Sequence, residues 1–200
     1  AATNLGRALM GEATRLEGAA AAVAFDSAAT ALGRAESLNP QDPYPPRNLA
    51  SLARVRARTM RPDARGVALA EADHHYRRAT ALAPRLPGLW VEWANVDAER
   101  RRFADARQKL ARAADLDSTR YDVWLLQGLV NTLDGKPTDG VTGYGRALTA
   151  KPGDVAALRG RAVALAQLGR QDEARADAEA VLRQSPTDAV ALRLRADLGR

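Results

Sequence analysis

This chain of 200 residues has no cysteine. No disulfide can staple it and no thiolate can hold a metal, which leaves reducing and oxidising compartments equally open. Aromatic residues make up only 4%, which excludes a thick core of large side chains. No apolar run approaches the ~20 residues that a membrane-spanning helix requires. Histidine occurs only as the adjacent pair His74-His75; neighbouring helical positions point in different directions, so the pair lacks the i, i+4 spacing of a zinc-binding helix. Lysine occurs only at Lys109, Lys136 and Lys151, and arginine carries the rest of the positive charge. The chain opens Ala1-Ala2-Thr3, with neither an initiator methionine nor a recognisable cleavable signal. Its start therefore reads as a processed end or a cut from something longer. A soluble protein of the bacterial cytoplasm or periplasm fits these absences, and they do not choose between the two.

What is present points to helices. Hydrophobic residues at 46% and charged residues at 27% are ordinary for a folded protein. Alanine, the best helix former, is abundant, and arginine and leucine, which follow it closely in helix propensity, are numerous. Helices with small faces can approach closely and make a core without many aromatics. The net charge of +6 and a pI near 10.3 would suit an anionic partner only if clustered on one face. Acidic residues are instead interspersed through most of the chain, so nucleic-acid binding is not expected. Its one candidate segment is Arg54, Arg56, Arg58, Arg61 and Arg65, where binding would be strongly salt-dependent.

The chain repeats. Pro84, Ser118, Pro152 and Pro186 stand at 34-residue intervals, each closing a run such as Ala147-Leu148-Thr149-Ala150-Lys151; Pro40 stands 44 residues before Pro84. Within the 34-residue frame, 121–154 carries Trp124, Gly128, Tyr144, Ala147 and Pro152, and 87–120 carries Trp90, Ala94, Ala106, Leu110 and Ala113. The segment 155–188 carries Leu158, Ala162, Leu165, Gly169, Ala174, Ala178, Val181 and Pro186. This pattern resembles the tetratricopeptide repeat over nearly the whole chain. The resemblance implies an all-α, right-handed superhelical solenoid of helix-turn-helix repeats. The boundaries are about 1–42, 43–86, 87–120, 121–154 and 155–188, with a capping helix over 189–200.

The register assigns roles. Gly128, Ala94 and Ala162 let paired helices approach, the prolines end the second helices, and Gly135 and Gly169 make the turns within hairpins. Trp90, Trp124 and Tyr144 are expected to fill gaps between hairpins, with Trp93 also pointing inward. The first two repeats, related by 44 residues, hold about ten extra residues each. In the first, Gly18-Ala19-Ala20-Ala21-Ala22 can extend the second helix backwards. In the second, Pro62 and Gly66 predict a loop over 61–66.

No chemistry emerges from the residue pattern. Gly140-Val141-Thr142-Gly143-Tyr144-Gly145 lacks the spacing and the preceding strand of a dinucleotide loop and falls inside a repeat helix. No nucleophile stands in register with a histidine, and no carboxylates pair for acid–base work. No catalytic, cofactor-binding or metal-binding residues are assigned, and the chain is not expected to be an enzyme.

The tetratricopeptide resemblance implies that first helices line a concave groove. The groove positions are Arg47, Asn48, Ser51 and Arg54; Glu92, Asn95 and Glu99; Leu125, Leu126 and Leu129; Arg159, Val163 and Gln167; and Arg193. The three leucines read as an apolar centre flanked by Arg47, Arg159 and Arg193, which suits a protein or peptide partner of acidic, amphipathic character. Asp177, on a second helix, falls on the opposite, convex side. The leading function is a scaffold that binds a peptide or helical segment in this groove. The alternative is a soluble spacing or assembly arm of a larger bacterial envelope protein, from a similarity to the repeat tails of O-antigen ligase-like polysaccharide enzymes. Homo-oligomers are compatible with either.

Overall fold

The computed structural model describes residues 2–16 and 18–198. Among these there are eleven α-helices and no strand. None of the described helices is long and apolar enough to cross a membrane. The chain divides into two compact units, Ala1–Arg102 and Phe103–Arg200. The division falls within the repeat assigned to 87–120.

The N-terminal unit holds α1 (Ala2–Ala13), α2 (Gly18–Leu38), α3 (Tyr44–Ala57), α4 (Pro62–Leu82) and α5 (Pro87–Glu99). Helices adjacent in sequence pack on each other, and α1, α3 and α5 also touch in succession. The extra residues of the first two repeats lengthen helices: α2 and α4 have 21 residues, against 14 in α6, α8 and α10. Seven further residues add about 10 Å. The loop expected over 61–66 is therefore corrected, because α4 begins at Pro62. Proline is tolerated at the first helical position, where its missing N–H would have no intrahelical acceptor. Arg61 before it is extended, with φ −62° and ψ 154°. Gly66 then lies within the helix, with nothing near its Cβ direction.

Two cores fill this unit. Phe25, Ala28 and Leu32 of α2 pack with Leu49 and Leu52 of α3. Ala50, Ala53 and Ala57 of α3 pack with Leu69, Ala72 and Tyr76 of α4 and Val96 of α5. A buried carboxylate fixes α5 on α4: Asp73 accepts from Trp93 Nε1 at 2.7 Å and from Arg102 Nη2 at 2.9 Å. Burial alone would raise the Asp73 pKa, but these donors and the neighbouring arginines hold it below its usual value.

The C-terminal unit holds α6 (Phe103–Leu116), α7 (Tyr121–Leu133), α8 (Pro137–Ala150), α9 (Val155–Gln167), α10 (Gln171–Gln184) and α11 (Ala189–Leu198). Gly128 is where α7 meets α8: a Cβ there would lie 2.7 Å from the Tyr144 ring. Gly135 and Gly169 turn their hairpins at φ 72°. Arg101, 34 residues before Gly135, makes the same turn at φ 58° and is the described non-glycine residue with positive φ. The residues before Pro84, Pro152 and Pro186 share one geometry, φ −135° to −140° and ψ 66° to 84°. A following proline excludes the α region, which ends α4, α8 and α10 alike. Asp154 and Asp188 cap the starts of α9 and α11, accepting from Ala157 at 3.1 Å and Ala191 at 3.0 Å.

The aromatics split in role. Tyr144 is buried, and burial pushes its phenol up to about 12. Trp90, Trp93 and Trp124 are half-buried; Trp93 and Trp124 pack against the cores as expected, each with one edge open. Trp90 Nε1 donates to the carbonyl of Pro84 at 2.9 Å, and Trp124 Nε1 to that of Ser118 at 2.8 Å. Each indole ties its own helix to the loop that precedes it, and the 34-residue interval repeats the device.

Candidate functional site

The 44-residue offset and the packing of α1 against α3 bring like positions together on the first helices of the N-terminal unit. Thr3, Asn4 and Arg7 correspond in the repeat to Arg47, Asn48 and Ser51. These six, with Asp42, Tyr44 and Glu92, line an open cavity of about 480 Å³. Four of the residues assigned to a groove from sequence thus meet in one concavity: Arg47, Asn48, Ser51 and Glu92. Thr3, Asn4, Arg7, Asp42 and Tyr44 were missed. The signal for the first three was the 44-residue equivalence itself.

Charge in this concavity is largely committed. Arg47 Nε donates to Glu92 at 2.9 Å, and that bond is the main reason its pKa is raised. Arg54 Nε donates to Glu99 at 2.8 Å. Both pairs span 45 residues and stand one heptad apart, so they act as two rungs between α3 and α5. Behind the first rung, burial and then the Glu92 carboxylate raise the Tyr76 phenol above its usual range. Asp42 is also occupied, accepting from the Tyr44 amide at 2.9 Å. Arg7 differs. It is exposed and has no ion-pair partner among the described residues, so it is the cation open to an incoming carboxylate.

Asn48 is the other uncommitted group. It is 7% exposed, lines the cavity, and makes no side-chain hydrogen bond to another described residue. Its amide opens on the cavity, where a ligand main chain would accept from its N–H and donate to its carbonyl oxygen. Asn95 is not equivalent, because its Nδ2 donates to the Val91 carbonyl of its own helix at 3.0 Å.

In the C-terminal unit, α7 touches α9 and α9 touches α11. The apolar centre expected at Leu125, Leu126 and Leu129 is corrected. Leu126 is 5% exposed and belongs to the core, and Leu125 is half-buried against Tyr144 and its neighbours. A helix packed on both sides keeps only a narrow open stripe, and adjacent residues 100° apart do not both fit it. The exposed leucines of α7 are Leu129 and Leu133, at 42% and 48% and one turn apart, with half-buried Val163 at the position on α9 equivalent to Leu129. Arg159 donates to Asp188 at 3.0 Å. Arg193 is exposed and faces Asp197 at 3.6 Å. Asp177 is also corrected: it is buried, and Arg161 grips it with two bonds of 2.7 and 2.8 Å.

The arginine run considered for nucleic acid is partly neutralised. Arg54 and Arg58 face Glu99, and Arg56 pairs with Asp26 at 2.9 Å. Gly140 and Gly143 lie within α8 and face α7 at close approach. They make a helix contact and not a phosphate loop.

Comparison with known proteins agrees with this architecture. Residues 91–154 and 134–189 match the family model described as tetratricopeptide repeat. The structure of Pseudomonas aeruginosa pilF is 19% identical, with TM-score 0.75, covering 98% of this chain and 84% of that one. TTC0263, a thermophilic TPR protein of Thermus thermophilus, is 23% identical with TM-score 0.68, covering 97% of both chains. YrrB, described as a TPR protein with an unusual peptide-binding site, is 22% identical with TM-score 0.66, covering 85% of this chain and 82% of that one. At these identities the likenesses show the fold, an all-α array of such hairpins. No curated protein matches the chain.

Proposed function

Since this chain belongs to the tetratricopeptide-repeat family, we propose that it is a protein-interaction scaffold that binds an extended, acidic peptide segment on the first helices of its N-terminal unit. The observation that carries this reading is Asn48, whose side-chain amide opens on a concavity and bonds no other described residue. Asn4, at the equivalent position of the preceding repeat, offers a second amide to the same ligand. Arg7 takes a side-chain or terminal carboxylate, a charge-assisted bond worth about 1.5–3 kcal/mol. The rungs Arg47–Glu92 and Arg54–Glu99 hold α3 and α5 in place, so the wall is formed before the ligand arrives. The peptide-binding site named for YrrB supports this class of ligand.

The C-terminal unit offers a surface of a different kind. Leu129 and Leu133 present an apolar strip beside Val163, and fully covering one such side chain contributes roughly 1.5–3 kcal/mol. It suits the apolar side of an amphipathic segment, with Arg159 and Arg193 at its edge.

The experiment is selection from a displayed library of random peptides with free C-termini, followed by calorimetry of the selected peptides. Those that bind should carry carboxylates. Asn48→Ala and Arg7→Ala should each weaken them about ten-fold, the equivalent of 1.4 kcal/mol, with helix content unchanged. Selected peptides that bind both variants as tightly as the parent chain would place the site elsewhere.

A further inference from the structure

The hairpin α1–α2 carries an exposed face that the peptide site does not use. Along α2, Val23, Asp26, Thr30, Arg34 and Leu38 recur every three or four residues and so share one stripe. Val23 is 66% and Leu38 72% exposed. With Leu5 and Leu9 of α1, this stripe lines a groove of about 890 Å³. A run of large exposed apolar residues on one face marks an interaction surface more often than a bare solvent face.

The next hairpin shows what a face of this type accepts. Leu49 is the 44-residue equivalent of Leu5, yet it is 8% exposed, against 56% for Leu5, because α1–α2 covers it. Arg78 is the equivalent of Arg34 and pairs with Glu36 of α2 at 2.8 Å. Leu82, the equivalent of Leu38, is half-buried. Val67 and His74, the equivalents of Val23 and Thr30, stay exposed, so α1–α2 covers the α3 side of that hairpin and reaches α4 through the carboxylate on Arg78. Arg34 has no ion-pair partner among the described residues.

We propose that the occupant is a second copy of this chain, with the two α2 helices antiparallel about a two-fold axis between Thr30 and Ala31. The order of residues along the stripe carries this choice. Reading outward from Thr30-Ala31, Asp26 lies on one side and Arg34 on the other, and beyond them Val23 and Leu38. Antiparallel pairing about that point sets Val23 of each copy against Leu38 of the other, and Asp26 against Arg34. Small residues stand at the crossing, where the backbones come closest. A two-fold interface must be self-complementary, and this stripe is, in shape and in charge. A uniformly acidic or basic partner would leave either Asp26 or Arg34 facing a like charge. Asp26 already bonds Arg56 at 2.9 Å, but its side chain is 66% exposed and can accept a second donor.

Sedimentation velocity over a concentration series tests this on the chain as it stands. The dissociation constant for a dimer should rise at least about ten-fold in Asp26→Arg and in Arg34→Asp, which set like charges across the axis. The double variant Asp26→Arg/Arg34→Asp should return to within about three-fold of the parent, because the pairing is restored with its sign exchanged. Circular dichroism of each variant checks that the helices are intact. A second readout uses the absence of cysteine: oxidised Thr30→Cys should give a disulfide-linked dimer, since its sulfurs meet near the axis. A chain that stays monomeric to about 0.5 mM overturns the proposal. So does a dimer that ignores the charge reversals and gives no cross-link, and so does growth into larger oligomers, which would mean open head-to-tail association.

Discussion

Two glycines on α8, two residues apart, should respond to alanine in opposite directions. A Cβ on Gly143 would stand 2.6 Å from the amide nitrogen of Gly128, 2.8 Å from its Cα and 3.2 Å from the carbonyl oxygen of Trp124. All three are main-chain atoms of α7, so no rotamer change relieves the contact and the two helices must move apart. Around Gly145 nothing lies within 4 Å of the same position. Alanine in a helix interior is favoured over glycine by roughly 0.5–1 kcal/mol. Overpacking a close contact costs about 1–3 kcal/mol. Gly145→Ala should therefore stabilise by about 0.5–1 kcal/mol, and Gly143→Ala should lie about 1–3 kcal/mol below it, since the propensity gain is common to both. In a chain of this size that separation corresponds to roughly 2–12 °C in midpoint. Thermal and urea unfolding followed at 222 nm measures it, with equal m-values confirming that the native state was the one perturbed. Equal midpoints for the two variants would mean that α7 and α8 are not in backbone contact.

Further expectations concern single positions. Arg101→Gly should melt above Arg101→Ala by about 1 kcal/mol, because both remove the side chain but only glycine accepts the left-handed turn at no steric cost. Asp177→Ala should destabilise by roughly 1–3 kcal/mol in denaturant titrations, since it strips Arg161 of a bidentate partner; a silent variant would return Asp177 to the solvated convex side. Asp154 should contribute an acid-sensitive share of stability. Burial opposes its ionisation, but bonds from Lys151, Tyr121 and the Ala157 amide lower its pKa to about 2. A pKa depressed on folding stabilises above the unfolded value near 3.8 and loses that contribution as pH falls from about 4 to about 2. The stability gap between the parent chain and Asp154→Asn should therefore be largest near neutrality and close across that window, and a gap unchanged at low pH would refute the assignment.

The pitch of the fold was legible in the sequence because it rests on local sterics. Pro84, Pro152 and Pro186 each forbid the helix from continuing, and Gly135 and Gly169 each permit a turn that other residues resist; neither effect depends on the rest of the molecule. The stretch 61–66 misled because proline was read as a breaker, when one position decides between breaking a helix and starting one. Leu126 and Asp177 misled for a different reason. Which side of a helix is open depends on how many neighbours pack against it, and the repeat register alone did not give the width of the open stripe. The cavity at Asn48 was half visible. Its own side was on a groove position, while Asn4 and Arg7 became partners only through the packing of α1 on α3. The ion pairs Arg47–Glu92 and Arg54–Glu99 could have been anticipated from their shared 45-residue interval, which sets opposite charges on first helices of successive hairpins.

The peptide-binding reading rests on one amide, and its side-chain resonances report on it directly. In an assigned ¹⁵N-edited spectrum, titration with a selected acidic peptide should shift the Asn48 side-chain Nδ2 protons downfield to saturation, as a peptide carbonyl replaces water as their acceptor. The backbone amides of Asn4, Arg7 and Ser51 should move with the same dissociation constant. Saturating shifts confined to the second helices, with Asn48 Nδ2 unmoved, would contradict the account and put the partner on the other side of the hairpins.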